Sequence, residues 1–313
     1  MIVQQRQHTQ KPGLAVGLLL FCLALMPAGC RPAENFATGG PAQRIVSMAP
    51  SITELLFALD CGTRVVGVTS YCLYPGAAAQ LPRVGGYYDV NYERILSLRP
   101  DLVLLPVEHV EAERHLRALG LSCRMIDTAT IPAIFKAIDD IAAICGAEAA
   151  AAELTQNMQR RMNQITGRTR GRPPRKVLIS IGRNMGSGGL SDVYLAGSGT
   201  MYDELLTMLG ASNVFQGNLP YAQISQEAIL RMNPDVIIDL APELDRSTTL
   251  TRAQLRVDWQ GLRSVNAVIH ERIHVLAQDY VCIPGPRVPS LLEDIARAVY
   301  PEAFTDPDVG DDP

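Results

Sequence analysis

One stretch of the 313-residue chain has the residue types and spacing of a hydrolytic metal site: "HERIH", with His270 and His274 four residues apart and Glu271 between them. On a helix that spacing puts both imidazoles on one face, where they can hold zinc while the glutamate activates a bound water. Glu293 is a candidate third ligand. The chemistry requires a helix, and the surrounding text "DWQGLRSVNAVIHERIHVLAQD" argues for something else. After Glu271 the residues run Arg-Ile-His-Val-Leu, alternating and β-branched as in a strand. At strand rise the two histidines stand roughly 13 Å apart, too far to share a metal. His270 and His274 are therefore expected at the surface and on a strand edge, and a zinc peptidase is the distant reading.

Other catalytic patterns are missing. "GSGG" and "GSGT" lack the Gly-Lys-Ser/Thr ending of a phosphate-binding loop, and no G-x-S-x-G elbow occurs. No nucleophile has a nearby base, so the chain is expected not to be an enzyme and to carry no cofactor or resident metal. The aromatic residues are more informative. They make up only 5% of the chain, yet five of its ten tyrosines, Tyr71, Tyr74, Tyr87, Tyr88 and Tyr92, fall in one short loop-rich stretch. A tyrosine offers a flat apolar face and a hydroxyl at low conformational cost, which suits a large planar ligand with polar fringes.

Composition narrows the partners. Hydrophobic residues are 47%, charged residues 19% and the formal net charge is -4, which excludes the basic stripe of a nucleic-acid binder. At the amino terminus Arg6 and Lys11 precede an apolar run from Leu14 to Ala28 and then "AGC", ending at Cys30. This pattern is an export signal, with Cys30 as the residue to be lipidated, although Pro27 stands where lipoproteins usually carry leucine. The protein is then expected in the periplasm or on the outer face of the cell membrane, held by a lipid anchor. Five cysteines remain beyond it, Cys61, Cys72, Cys123, Cys145 and Cys282, with no C-x-x-C among them. An odd number leaves at least one outside any internal disulfide, and a metal cage is not expected.

The elements that would position these groups are alternating β and α. "RIVSMAPSITELLFALDCGTRVVGVTS" reads as strand, Pro-Ser turn, helix beginning near Ser51 or Thr53, and strand, with Ser51 and Glu54 spaced as a capping box. "YERILSLRPDLVLL" adds a helix stopped at Pro100 and a buried strand. The second half repeats this order, ending in "SQEAILRMNPDVIIDL"; Glu93 stands seven residues before Pro100-Asp101, and Glu227 stands seven before Pro234-Asp235. Between the halves, Glu148 to Arg168 is free of proline and rich in helix formers, which predicts one helix of about 30 Å. The expected fold is α/β: two βα lobes with parallel sheets, joined by one long backbone helix, with the ligand cleft between the lobes. The expected divisions are a signal peptide at 1–30, a tether at 31–43, an N-terminal lobe at 44–131, linking helices at 132–170, a C-terminal lobe at 171–303 and a tail at 304–313.

"RIVSMAPSITELLFAL", "VVGVTSYCLYP", "LPRVGGYYDVNYERILSLRPDLVLL", "YAQISQEAILRMNPDVIID" and the late "GPR" together resemble the periplasmic-binding-protein family whose lobes are joined by a single backbone helix. Its members deliver cobalamin, ferric siderophores or haem to ABC importers, and the likeness is nearest to the cobalamin-binding proteins. The resemblance implies a monomer that takes a small molecule, cobalamin or another corrinoid, and passes it to transmembrane importer subunits. Ser51, Tyr71, Tyr87, Tyr88, Tyr221, Asp279 and Tyr280 are the implied ligand-binding residues. Glu93 and Glu227 are the implied docking residues, one per lobe, for arginine pockets on the importer. This chain has Pro106 where relatives can carry another cleft aromatic, and Ile283 where an arginine can follow the Asp-aromatic pair. A siderophore binder would use arginines such as Arg83 and Arg183, and a haem binder an iron-ligating tyrosine such as Tyr88.

Overall fold

In a computed structural model, residues 40–242, 244 and 250–305 are described. The expected leader, Cys30, most of the expected tether and the expected tail beyond residue 305 lie outside them. Among the described residues no helix is long and apolar enough to cross a membrane.

The first lobe is a four-stranded parallel sheet of β1 (Ile45–Ser47), β2 (Val65–Val68), β3 (Leu102–Pro106) and β4 (Cys123–Ile126), in the order β2-β1-β3-β4. Every residue of β1 and β3 is buried, as befits parallel strands covered by helices on both faces. The helices are α1 (Pro50–Ala58), α2 (Tyr92–Ser97), α3 (Val110–Ala118) and α4 (Ile131–Cys145). Pro50 sits at the first position of α1, where its fixed φ helps and its missing N–H costs nothing. The expected capping box is not formed. The cap position is Ala49, which has no side chain to accept a hydrogen bond, and Glu54 is buried, facing the other lobe.

The long helix is α5, Glu148–Thr169, close to the expected span. Beyond it lie α6 (Met201–Met208), α7 (Gln226–Met232), α8 (Arg252–Trp259), α9 (Asn266–Ile269) and α10 (Val288–Val299). They cover a sheet of β5 (Lys176–Gly182), β6 (Val193–Ala196), β7 (Ser212–Asn213), β8 (Tyr221–Ile224), β9 (Val236–Leu240) and β10 (Ile273–Leu276). Its order is β10-β9-β5-β6-β8, with β7 also paired to β5. This sheet departs from the parallel expectation at one edge, where β6 runs antiparallel to both β5 and β8. The connection from β5 to β6 is a short glycine-rich loop, "RNMGSGGLSD", and a link of that kind can only return as a hairpin.

"HERIH" is split between elements. Helix α9 ends at His270, Glu271 takes a left-handed φ of 55°, and His274 lies within β10. The single helical face that a zinc peptidase needs is not formed. The two lobes share one apolar cluster, running from Ile45, Leu104 and Ile138 through Met158, Met162 and Ile165 of α5 to Val177, Ile238 and Leu292. Helix α5 thus packs one stripe, Ala151, Met158, Met162 and Ile165, into this shared cluster, while its opposite face is exposed.

Candidate functional site

A cleft of about 650 Å³ opens between the lobes, and its walls come from the ends of the strands. In the first lobe, Ala49 to Ser51 follow β1, Tyr71 follows β2, Glu108 follows β3, and Asp127 to Ala129 follow β4. In the second, Met201 and Tyr202 open α6, Tyr221 opens β8, Pro242 follows β9, and Asp279 and Cys282 to Pro284 follow β10. All the parallel strands that contribute do so through their carboxyl ends, where open α/β sheets hold ligands because the loops there are free to vary.

Of the residues expected to bind ligand, Ser51, Tyr71, Tyr87, Tyr221 and Asp279 line this cleft. Tyr88 and Tyr280 stand off it. Tyr88 is 80% exposed, its ring edge-on to Tyr87 at 5.0 Å. Tyr280 turns its hydroxyl away to donate to Asp294 Oδ2 at 2.7 Å. Both belong to sequence pairs, "YY" and "DY", of which only the first member lines the cleft.

The Tyr87 hydroxyl donates to Glu108 Oε1 at 2.6 Å, and its ring packs edge-on against the buried His109 at 4.5 Å. Burial, reinforced by the Glu108 carboxylate, holds the Tyr87 phenol well above its ordinary pKa, and burial likewise raises Tyr221. Burial lowers His109, so this imidazole is neutral at pH 7. Tyr202 is buried beneath the second wall, and its hydroxyl donates to the Val281 carbonyl at 2.8 Å.

The arginines considered for an anionic ligand are engaged elsewhere. Arg183 is buried inside the second lobe, donating to Asp239 Oδ2 through Nε at 3.0 Å and Nη2 at 2.9 Å, and to Asp258 Oδ2 through Nη1 at 2.6 Å. Arg83 donates to the carbonyls of Thr69 at 2.9 Å, Cys72 at 3.0 Å and Ala79 at 2.7 Å, tying its own loop together. Sequence reasoning missed Glu108, Asp127, Tyr202 and Cys282 as cleft residues. For Glu108 and Asp127 a signal existed, since both fall within two residues of the end of a predictable parallel strand.

With this geometry in hand, the chain can be set beside known proteins. Residues 45–280 match the family described as periplasmic binding protein, and the chain belongs to that family. It is a substrate-binding protein of the ABC-transporter class and not an enzyme. It is 30% identical over 270 residues to the uncharacterized ABC transporter substrate-binding lipoprotein YvrC of Bacillus subtilis (strain 168), covering 84% of this chain and 81% of the relative. It is 26% identical over 287 residues to the vitamin B12-binding protein of Yersinia pestis (strain Pestoides F), covering 87% and 94%. Among solved structures, the periplasmic heme-binding protein RhuT from Roseiflexus sp. RS-1 superposes with a TM-score of 0.72 at 27% identity, covering 84% of this chain and 100% of that one.

Proposed function

We propose that this substrate-binding protein takes a corrinoid, cobalamin or a close relative, in the inter-lobe cleft and delivers it to the transmembrane subunits of an ABC importer. The observation that carries the reading is the chemistry of the walls. Three carboxylates, Glu108, Asp127 and Asp279, line the cleft together with Tyr71, Tyr87 and Tyr221, and among the described lining residues there is no lysine, arginine or histidine. A corrinoid is flat and rimmed with primary amides, which donate to carboxylate and phenol oxygens while the macrocycle lies on tyrosine rings. A ferric siderophore of negative charge, or a haem with two propionates, would bring anions against carboxylates with no cation to meet them. The likeness to a vitamin B12-binding protein supports the same choice.

Titration calorimetry on the full chain in mild detergent tests it. Cyanocobalamin is expected to bind one to one, and haemin and anionic ferric siderophores to give no saturable heat. Saturable heat from either of these, with none from any corrinoid, overturns the proposal. Cys30 is read as the lipidated residue that keeps the protein at the membrane, in line with the lipoprotein name of the Bacillus relative. A Cys30→Ala chain is expected in the soluble fraction after export, and its retention on membranes would sink the anchor.

A further inference from the structure

The late motif "GPR" ends in Arg287, the residue just before α10, and its guanidinium joins the two lobes. Nε donates to Glu54 Oε2 at 2.9 Å and Nη2 to Glu54 Oε1 at 2.6 Å, a two-pronged pairing with a carboxylate of α1 in the first lobe. Nη1 donates to Asp279 Oδ1 at 2.7 Å in the second lobe. The charge also lies 4.0 Å from the ring centre of Tyr74 and 5.1 Å from that of Tyr280, one aromatic from each lobe. Beside it the backbones approach closely. A Cβ at Gly285 would stand 3.6 Å from the Ser51 carbonyl oxygen and 3.8 Å from Glu54 Oε2.

This cluster sits under two residues of the cleft wall, Ser51 and Asp279. The Glu54 side chain is 1% exposed and that of Arg287 16%. Burial pushes the Glu54 carboxyl above its usual range, and the guanidinium only partly offsets this. A buried ion pair of this kind is a weak source of stability, because the cost of stripping both charges of water consumes most of their attraction. What it supplies is geometry. A planar fork meeting a carboxylate through two parallel bonds fixes both distance and orientation, which a lysine or an apolar pair cannot do.

We propose that Arg287 is a positioning residue for the cleft: by gripping Glu54 of one lobe and Asp279 of the other, it holds the lobes in one fixed relative orientation at the cleft floor and aims the Asp279 carboxylate at a hydrogen-bond donor on the ligand rim. The aiming half rests on the corrinoid reading above. The orienting half does not.

Residual dipolar couplings on the deuterated, 15N-labelled full chain in detergent read the relative orientation of the lobes without any ligand. In the unaltered protein one alignment tensor is expected to fit the amides of both lobes. In Arg287→Met the tensors of the two lobes are expected to diverge in magnitude, and cyanocobalamin affinity to fall at least tenfold. Because Arg287→Met leaves a buried carboxylate alone, the Glu54→Gln/Arg287→Met double variant, which removes both charges, keeps the test open if the single variant does not fold. Asp279→Asn separates the two roles: one tensor is retained and affinity falls several-fold. A single tensor in the Arg287 variants overturns the orienting role, and unchanged affinity in Asp279→Asn overturns the aiming. If the unaltered chain binds no corrinoid, the functional proposal has failed while the tensors still decide the first role.

Discussion

Cys282 carries the only thiol among the described residues of the cleft wall, and it is exposed. The other four described thiols, Cys61, Cys72, Cys123 and Cys145, are buried, and burial pushes Cys123 up to about 11 and Cys145 up to about 12, and raises Cys72 as well. Only the thiolate attacks an alkylating reagent, so at pH 8 these three react slowly even where reagent can enter. Iodoacetamide is therefore expected to label Cys282 first, and saturating cyanocobalamin to slow that labelling at least tenfold, as followed by peptide mass mapping over time. An unchanged rate, with binding confirmed by calorimetry, would mean that the ligand is seated somewhere other than this cleft. The same stretch shows what the sequence hides at residue scale. "AQDYVCIPGPR" announces a loop after a strand, but whether Asp279, Tyr280 or Cys282 faces inward depends on turns that no periodicity encodes. Tyr280 is drawn away by Asp294, a partner fourteen residues later that only the folded chain brings within reach.

At the scale of elements the duplication was legible, and its physical basis is visible in both lobes. Arg99 and Asn233, each just before the Pro-Asp pair, take left-handed φ values of 48° and 44°. This ends α2 and α7 and turns the chain into β3 and β9, because the proline that follows cannot continue a helix. The aspartates then fasten the turn to the neighbouring strand. Asp101 Oδ2 accepts the Gln43 and Arg44 amides at 2.7 and 3.0 Å, and Asp235 Oδ2 accepts the Lys176 amide at 2.9 Å. Burial opposes the charge of Asp235, but the Lys176 amide and the Asn266 side chain more than offset it and hold its pKa below the usual carboxylate range. Even the basic residues correspond, since Arg44 donates to the Leu98 and Arg99 carbonyls and Lys176 to that of Met232. Less legible was the antiparallel edge β6-β8. Alternating βα text predicts a parallel sheet, and one glycine-rich loop too short for a crossover is enough to reverse a strand. The Ser51–Glu54 spacing misled for a related reason: a local cap competes with a distant guanidinium, and the buried, two-pronged pairing with Arg287 wins.

At the scale of the whole molecule, the repeat gives the surface two matching prongs, one per lobe. Glu93 and Glu227 are both exposed, each in the first turn of its helix. The bland explanation is that they cap those helices, but that task is already done. The Asn91 side chain accepts the Arg94 amide at 2.9 Å, and the Ser225 hydroxyl accepts the Ala228 amide at 3.3 Å. What remains for each glutamate is attraction to the helix dipole, about 0.3–1 kcal/mol at an exposed position. One turn further on, Leu96 and Leu230 are 38% and 39% exposed, so each prong pairs a carboxylate with an uncovered apolar side chain. A solvated helix face has no need of that leucine, whereas a contact site with a rim charge and an apolar centre does. One packed apolar cluster runs through α5 into both lobes, so the two prongs belong to a single packed body. We therefore propose that Glu93 and Glu227 engage cationic pockets on the two transmembrane importer subunits. Charge-assisted contacts at a rim act chiefly on association rate and orientation. Glu93→Ala and Glu227→Ala are each expected to slow docking to the reconstituted importer while leaving corrinoid affinity unchanged and the melting temperature within a few degrees, and the double variant to abolish uptake. Normal uptake by the double variant, or a single variant that melts many degrees lower, would return both glutamates to a purely helical role.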